Sequence, residues 1–205
     1  MKTKAAHAAG DAACDLVDYR PYFPYVTLKC VGAPLYRSRS ARDYACLLDL
    51  DPDVLGWQCS TSLFGDNTCG RTFIVDFIVE TKDSCTMVEI WERLPENIGW
   101  VTDAAYRAGY RYQPVFMPEI RKQPRLQNAK DLIRYAGYDA PLGDRIRLSA
   151  ALEELGSLTL AECLAAVRDG RPMRTMAALI LQGHVEVDLD EALLGPDTVV
   201  RLPRR

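Results

Sequence analysis

The sequence lacks any run of about 18 consecutive apolar residues, the length a membrane-spanning helix needs, and its first ten residues, with two lysines among small side chains, lack the apolar stretch of a secretion signal. No membrane contact is expected, and a cytoplasmic location is. Histidine is almost absent: His7 and His184 are the two there are. The seven cysteines (Cys14, Cys30, Cys46, Cys59, Cys69, Cys85 and Cys163) are odd in number, widely spaced and without a Cys-x-x-Cys pair. That pattern argues against a zinc site or a disulfide framework and fits reduced, mostly buried thiols. There is also no excess of either charge: the formal net charge is -3. Overall charge therefore says nothing for or against nucleic acid, and only a local basic patch would matter. Internal repeats and low-complexity stretches are missing as well.

What is present is ordinary globular material: 205 residues, 48% apolar and 26% charged, enough for one large domain or two small ones. Three parts are expected: a loose leader over 1–18, a first domain over 19–140, and a second over 141–205 beginning at Pro141-Leu142-Gly143. Tyr19 to Tyr36, aromatic and β-branched but interrupted by Pro21, Pro24 and Pro34, reads as an edge strand or hairpin. Ser38 and Ser40 offer N-caps for a helix from about Ala41 to Leu50, with Tyr44, Leu47 and Leu48 on its apolar side. Asp51-Pro52-Asp53 ends it. Strands are expected over Val54–Cys59, Arg71–Glu80 and Ser84–Trp91, the last two joined by a hairpin at Thr81-Lys82-Asp83. A short helix over Trp100–Gly109, a strand over Tyr112–Phe116 and a helix around Ala129–Ala136 follow. The second domain reads as helices near Asp144–Leu155, Thr159–Arg168 and Met173–Gln182, with a capping box at Thr159-Leu-Ala-Glu162 and Gly183 as a helix stop. A hairpin of His184–Leu189 with Thr198–Leu202 closes it. Three helices followed by a hairpin is the order of a winged helix.

Two charges stand inside apolar strands: Asp76 in Phe73-Ile-Val-Asp-Phe-Ile-Val and Glu89 in Met87-Val-Glu-Ile-Trp91. A carboxylate taken from water is costly unless paired, hydrogen-bonded or bound to metal. Metal-dependent DNA cleavage needs carboxylates converging on divalent ions together with a cation, and a β-hairpin can deliver both, because residues two apart on a strand share a face. Alternation also puts Asp76 opposite Phe73, Val75, Phe77 and Val79, which is the solvent face of a half-exposed sheet. Spacing alone leaves both placements open.

From about Arg39 to Tyr135 the chain resembles the TnsA-like endonucleases of heteromeric transposases. The resemblance is carried by three segments. Ser40-Ala-Arg-Asp-Tyr-Ala-Cys-Leu-Leu-Asp-Leu-Asp-Pro-Asp-Val is similar to that family's catalytic helix and following turn. Val75-Asp76-Phe77 and Val88-Glu89-Ile90-Trp91 resemble its two catalytic strands. Ile120-Arg-Lys-Gln-Pro-Arg-Leu-Gln-Asn128-Ala-Lys-Asp-Leu resembles its basic stretch ending in asparagine. The C-terminal part, through Leu179–Leu189, is similar to the helical tail of such proteins. The resemblance implies an α/β fold with a restriction-endonuclease-like (PD-(D/E)XK) mixed sheet core flanked by helices, followed by a smaller helical, winged-helix C-terminal domain. It also implies that Asp76 and Glu89 are what remains of a catalytic and metal-binding set.

The departures are specific. The family's helix glutamate falls at Ala41, its lysine at Trp91, and the proline before its aspartate at Val75. Tryptophan has no charge with which to orient water or stabilise an anion. Asp43 lies two residues further along the helix, roughly 200° around it at 3.6 residues per turn. Lys82 sits at the hairpin tip, and Asp49 and Glu92 are the other acids in reach. Trp91 is expected to fill the space left by lysine and metal, and Trp57 and Trp100 to anchor core or interface. Hydrolysis is expected to be lost or very weak, with no cofactor required. Mg2+ or Mn2+ would serve only a working site. For DNA, Arg121, Lys122, Arg125, Lys130 and Arg134 form a basic cluster suited to phosphates. Arg171 and Arg174 start a third helix of the second domain that is too apolar to read bases, so that domain is expected to contact a protein partner. A homodimer is a further option. Three functions follow in order: a DNA-associated regulatory or architectural pseudonuclease, a protein-only adaptor, and an active metal-dependent endonuclease.

Overall fold

The computed structural model describes residues 26–60, 63–66, 70–93 and 98–203. The expected leader and the first part of the Tyr19–Tyr36 segment lie outside them. The chain is mixed α/β, with a mixed four-stranded sheet, a two-stranded hairpin, a small three-stranded sheet and several helices.

The first helix, α1 (Arg39–Leu50), begins where the sequence places an N-cap: the Ser38 side chain accepts the Ala41 N–H at 3.0 Å. It stops at Asp51, ahead of the ring of Pro52, which disfavours a helical predecessor. Then come β1 (Val54–Cys59), a hairpin of β2 (Leu63–Asp66) and β3 (Arg71–Ile74), and the strands β4 (Phe77–Thr81) and β5 (Cys85–Trp91). Helix α2 (Gly99–Arg107), strand β6 (Arg111–Phe116), the turn-length α3 (Met117–Ile120) and α4 (Arg125–Ile133) complete the first part. The main sheet runs β1-β4-β5-β6, antiparallel except for the parallel pair β5 and β6. Its two faces carry separate cores. Helix α1 packs Ala41, Ala45 and Leu48 with Trp57, Phe77, Val79, Val88 and Val115. Helix α2 packs Val101, Ala104 and Ala105 with Phe73, Val75 and Met87 on the other.

The expected single strand over Arg71–Glu80 is two strands, and this corrects the alternation drawn from it. The ladder breaks at Val75-Asp76, so Phe73 and Val75 serve the α2 core whereas Phe77 and Val79 serve the α1 core. Asp76 is not on a solvent face; it is buried. Beyond β1 the sheet edge is covered by residues 28–31: Lys29 O accepts the Trp57 N–H, and Val31 N–H donates to Trp57 O. The Asp49 carboxylate holds this segment, accepting from the Leu28 and Lys29 N–H groups at 3.0 Å each and from Trp57 Nε1 at 2.8 Å.

The second part runs α5 (Leu142–Leu155), β7 (Ser157–Thr159), α6 (Leu160–Ala166), α7 (Pro172–Leu181), β8 (Glu186–Val187) and β9 (Val199–Arg201). Gly156, at φ +78°, makes the reversal from α5 into β7 that a side chain would resist. The capping box at Thr159 and Glu162 forms as expected. Strand β7, three residues long, is absent from the sequence reading; it pairs with β9, which lies between it and β8. Asp144, fully buried on α5, accepts the N–H groups of Arg168, Asp169 and Gly170 and a guanidinium N–H of Arg147. Burial pushes its carboxyl up, but these donors outweigh that and hold it below the usual range.

The two parts are joined through Asn128 on α4. Its amide donates to Leu189 O at 2.9 Å and Ala192 O at 2.8 Å, and its carbonyl accepts the Leu194 N–H at 3.0 Å. Arg125 adds an ion pair to Asp190 at 2.7 Å. Replacing Asn128 by alanine strands three backbone groups of the β8–β9 loop, and a loss of about 2–4 kcal/mol in unfolding free energy is expected by denaturant titration, with faster proteolysis within 188–195. Unchanged stability and cleavage would mean that the loop is held by other interactions.

Candidate functional site

Glu89 and Trp91, two apart on β5, share the face that carries Met87. Tyr112, opposite Met87 in the parallel pair with β6, lies on the same face. Its hydroxyl donates to Glu89 Oε2 at 2.8 Å and accepts from Trp91 Nε1 at 3.1 Å. Tryptophan at position 91 is thus a hydrogen-bond donor within a relay, and not merely filling.

Asp76 joins this group from the strand break. Its backbone bridges neighbouring strands, the N–H donating to Val88 O and the C=O accepting from Ser60 N–H. Its carboxylate takes over the Ile90 N–H, which donates to Oδ2 at 2.8 Å. On the other oxygen lies Arg37, from the residue just ahead of the α1 cap: Nη1 is 3.6 Å from Asp76 Oδ1 and donates to Ile74 O at 3.2 Å. Burial pushes the Asp76 carboxyl above its ordinary value, against the Ile90 hydrogen bond and the Arg37 charge. Burial raises Glu89 too, with Tyr112 and Arg37 opposing and the negative charge of Asp76 adding to the rise. Two carboxylates and one guanidinium therefore lie close enough to feel one another.

The other expected site residues are elsewhere. Ala41 is buried in the α1 core, on the face of the sheet opposite Glu89. Asp43 is held at the α1–α4 contact by Lys130, 2.8 Å away. Asp49 is committed to the 28–31 segment and Trp57, which removes it as an incoming ligand. Among the described residues no three His, Cys, Asp or Glu side chains converge as a metal site requires. A carboxylate oxygen that accepts one hydrogen bond, as Asp76 Oδ2 and Glu89 Oε2 do, keeps a second lone pair; it is the guanidinium 3.6 Å from Asp76 Oδ1 that sets this donor set against a divalent ion.

The basic cluster divides in two. Arg125 is paired with Asp190, Lys130 with the buried Asp43, and Arg134 with Asp131. Arg121 and Lys122 are exposed, as are Arg171 and Arg174 at the start of α7, and none of these four forms an ion pair among the described residues.

Arg37 and Tyr112 escaped sequence reasoning. Arg37 is one of three arginines in the short run Arg37-Ser-Arg-Ser-Ala-Arg42, and nothing local separates it from its neighbours. Tyr112 could be linked to Glu89 only with the parallel register of β5 and β6 in hand. No protein-family model matches the chain, and no curated protein matches it.

Because the raised folded-state values of Glu89 and Asp76 disfavour their ionised forms, the stability these groups contribute is present below the ordinary carboxylate range and lost as pH rises through the folded values. Glu89→Gln, which keeps an acceptor for Tyr112, is expected to melt above the wild type at pH 7–8 and to lose that advantage below about pH 4. A Gln variant that melts lower at neutral pH would mean that the ionised carboxylate is favourably compensated.

Proposed function

We propose that this chain is a catalytically degenerate, TnsA-like nuclease-fold protein acting as a DNA-associated regulatory or architectural factor. The observation that carries this reading is the Asp76–Glu89 pair. Two carboxylates brought together from neighbouring strands are what a metal-dependent nuclease hairpin supplies, yet here the buried Asp76 and the half-buried Glu89 are each engaged by the protein's own donors, Ile90 N–H, Arg37 and Tyr112. The positions at which the resembling family has glutamate and lysine carry Ala41 and Trp91. The mixed sheet with helices on both faces supports the restriction-endonuclease-like reading. The succession α5, β7, α6, α7, β8, β9, with β9 between β7 and β8, supports a winged-helix reading of the second part.

Phosphate contact would fall to the unpaired cations Arg121, Lys122, Arg171 and Arg174, not to the whole cluster. The apolar interior of α7, with Met176 to Leu179 buried, leaves little of that helix to read base edges, so DNA contact would be weakly sequence-dependent. A protein-only adaptor is the second reading. It is favoured by the internal ion pairs of Arg125, Lys130 and Arg134, which occupy three of the five cations of the basic stretch. An active endonuclease using Asp76 and Glu89 with Mg2+ or Mn2+ has least support, because a guanidinium stands beside Asp76 and the family's glutamate and lysine positions carry Ala41 and Trp91.

Fluorescence anisotropy on a labelled DNA duplex in metal-free buffer tests the first reading. Affinity is expected to fall steeply with salt. Arg121→Ala with Lys122→Ala is expected to lower the slope of log affinity against log salt by about 2, since each neutralised phosphate adds roughly 0.9 to it. Lys130→Ala should instead lower the melting temperature, through the stranded Asp43. No binding at low salt would discard the DNA reading in favour of the adaptor.

A further inference from the structure

The Asp76–Glu89 pair raises a question independent of DNA: what balances its charge. Asp76 is buried and Glu89 half-buried, and the negative charge of Asp76 bears on Glu89; such an arrangement calls for a cation. In a metal-dependent hydrolytic site that cation is a divalent ion. Here the charge beside Asp76 is covalently part of the chain.

Three features hold Arg37 in place. Tyr36, its predecessor, is almost wholly buried and packs against Trp57 and Phe77 at ring-centroid distances of 6.3 and 6.4 Å. Ser38, its successor, caps α1. The side chain spans the strand break, one guanidinium nitrogen donating to Ile74 O on β3 while lying 3.6 Å from Asp76 Oδ1. The backbone on either side is thus fixed by a core aromatic and a helix cap, and the head group is fixed by the carbonyl of Ile74, the last residue of β3 before the break at Val75-Asp76. Its charge also reaches Glu89.

We propose that the Arg37 guanidinium is the built-in counter-cation of the Asp76–Glu89 pair, holding the charge position that a divalent ion would otherwise occupy, so that the pair takes up such an ion only when Arg37 is removed. The device is self-blocking. A metal ion could enter only against a guanidinium whose tether is pinned on both sides, so charge repulsion stands against it. The proposal deepens the reading of the site as degenerate, but it does not need the protein to bind DNA.

The test uses Mn2+ as the probe. Bound Mn2+ is counted by electron paramagnetic resonance on the full chain at millimolar metal, and melting temperature is recorded with MnCl2 against KCl of matched ionic strength. The wild type is expected to bind no Mn2+ that Asp76→Asn abolishes, and to show no Mn2+-specific rise in melting temperature. Arg37→Gln is expected to melt lower in KCl, to bind about one Mn2+ per chain, and to recover several degrees when Mn2+ is added; Arg37→Lys should behave as the wild type does. Should Arg37→Gln fail to fold, the pair Arg37→Gln with Asp76→Asn decides, because removing both charges should restore folding without Mn2+ binding. The proposal is overturned if the wild type binds Mn2+ through Asp76, if Arg37→Gln folds but neither loses stability nor gains Mn2+, or if the double variant also fails to fold. Wild-type Mn2+ binding would leave the DNA-association reading standing, and absent DNA affinity would leave Arg37 untouched.

Discussion

A carboxyl group removed from water must be met by hydrogen-bond partners, and in this protein that constraint falls on Asp76. The chain satisfies it by giving up two residues of β-ladder. At Val75-Asp76 the strand stops pairing in the regular way, its backbone reaches Ser60 and Val88 instead, and the side chain turns to collect the Ile90 N–H that the broken ladder leaves available. The break also redirects hydrophobic residues that share one face on paper into two cores on opposite sides of the sheet. It exposes Ile74 O to Arg37 and so brings a cation from the start of α1 to a site otherwise built from strands. The hairpin β2–β3, the two cores and the carboxylate pair all meet at this one break.

Around Asp76 the polar groups form two short chains. One runs from Arg37 to Asp76 to the Ile90 N–H; the other runs from Trp91 through Tyr112 to Glu89. Each oxygen that accepts here does so from a donor fixed by its own packing, which is how buried polar groups are reconciled with a low dielectric. Trp91 illustrates the point. The residue has no charge to offer a reacting group, yet its indole N–H orients the tyrosine that holds Glu89, so the position retains a role in the electrostatics of the site.

Much of this was legible from residue order, for identifiable reasons. Helix α1 announced itself through Ser38 and Asp51-Pro52, and β1 and β5 through apolar runs bounded by turn residues; α6 did so through Thr159 and Glu162. Local rules govern these elements, so local reading recovers them. The alternation in Arg71–Glu80 misled because Asp76, the residue that breaks it, also fits it. Strand β7 is too short to carry a period and exists through β9, some forty residues on. The carboxylate pair could be picked out as charges in apolar strands, but Arg37 and Tyr112 could not, since one arrives across a strand break and the other through a parallel register. The basic stretch looked uniform because sequence shows charge but not partners: Lys130 and Arg125 are spent on Asp43 and Asp190, while Arg121 and Lys122 remain exposed.

Asn128 has a consequence for how the molecule comes apart. Its amide and carbonyl are completed by Leu189, Ala192 and Leu194, so the middle of the chain meets its hydrogen-bonding needs only once the last twenty residues are in place. Neither part is then fully satisfied alone. Opening the β8–β9 loop leaves a buried amide in α4 without partners, and melting α4 leaves the loop's carbonyls without donors. Free-energy coupling of this kind ties the fates of the two parts together, because the loss of either raises the cost of keeping the other folded.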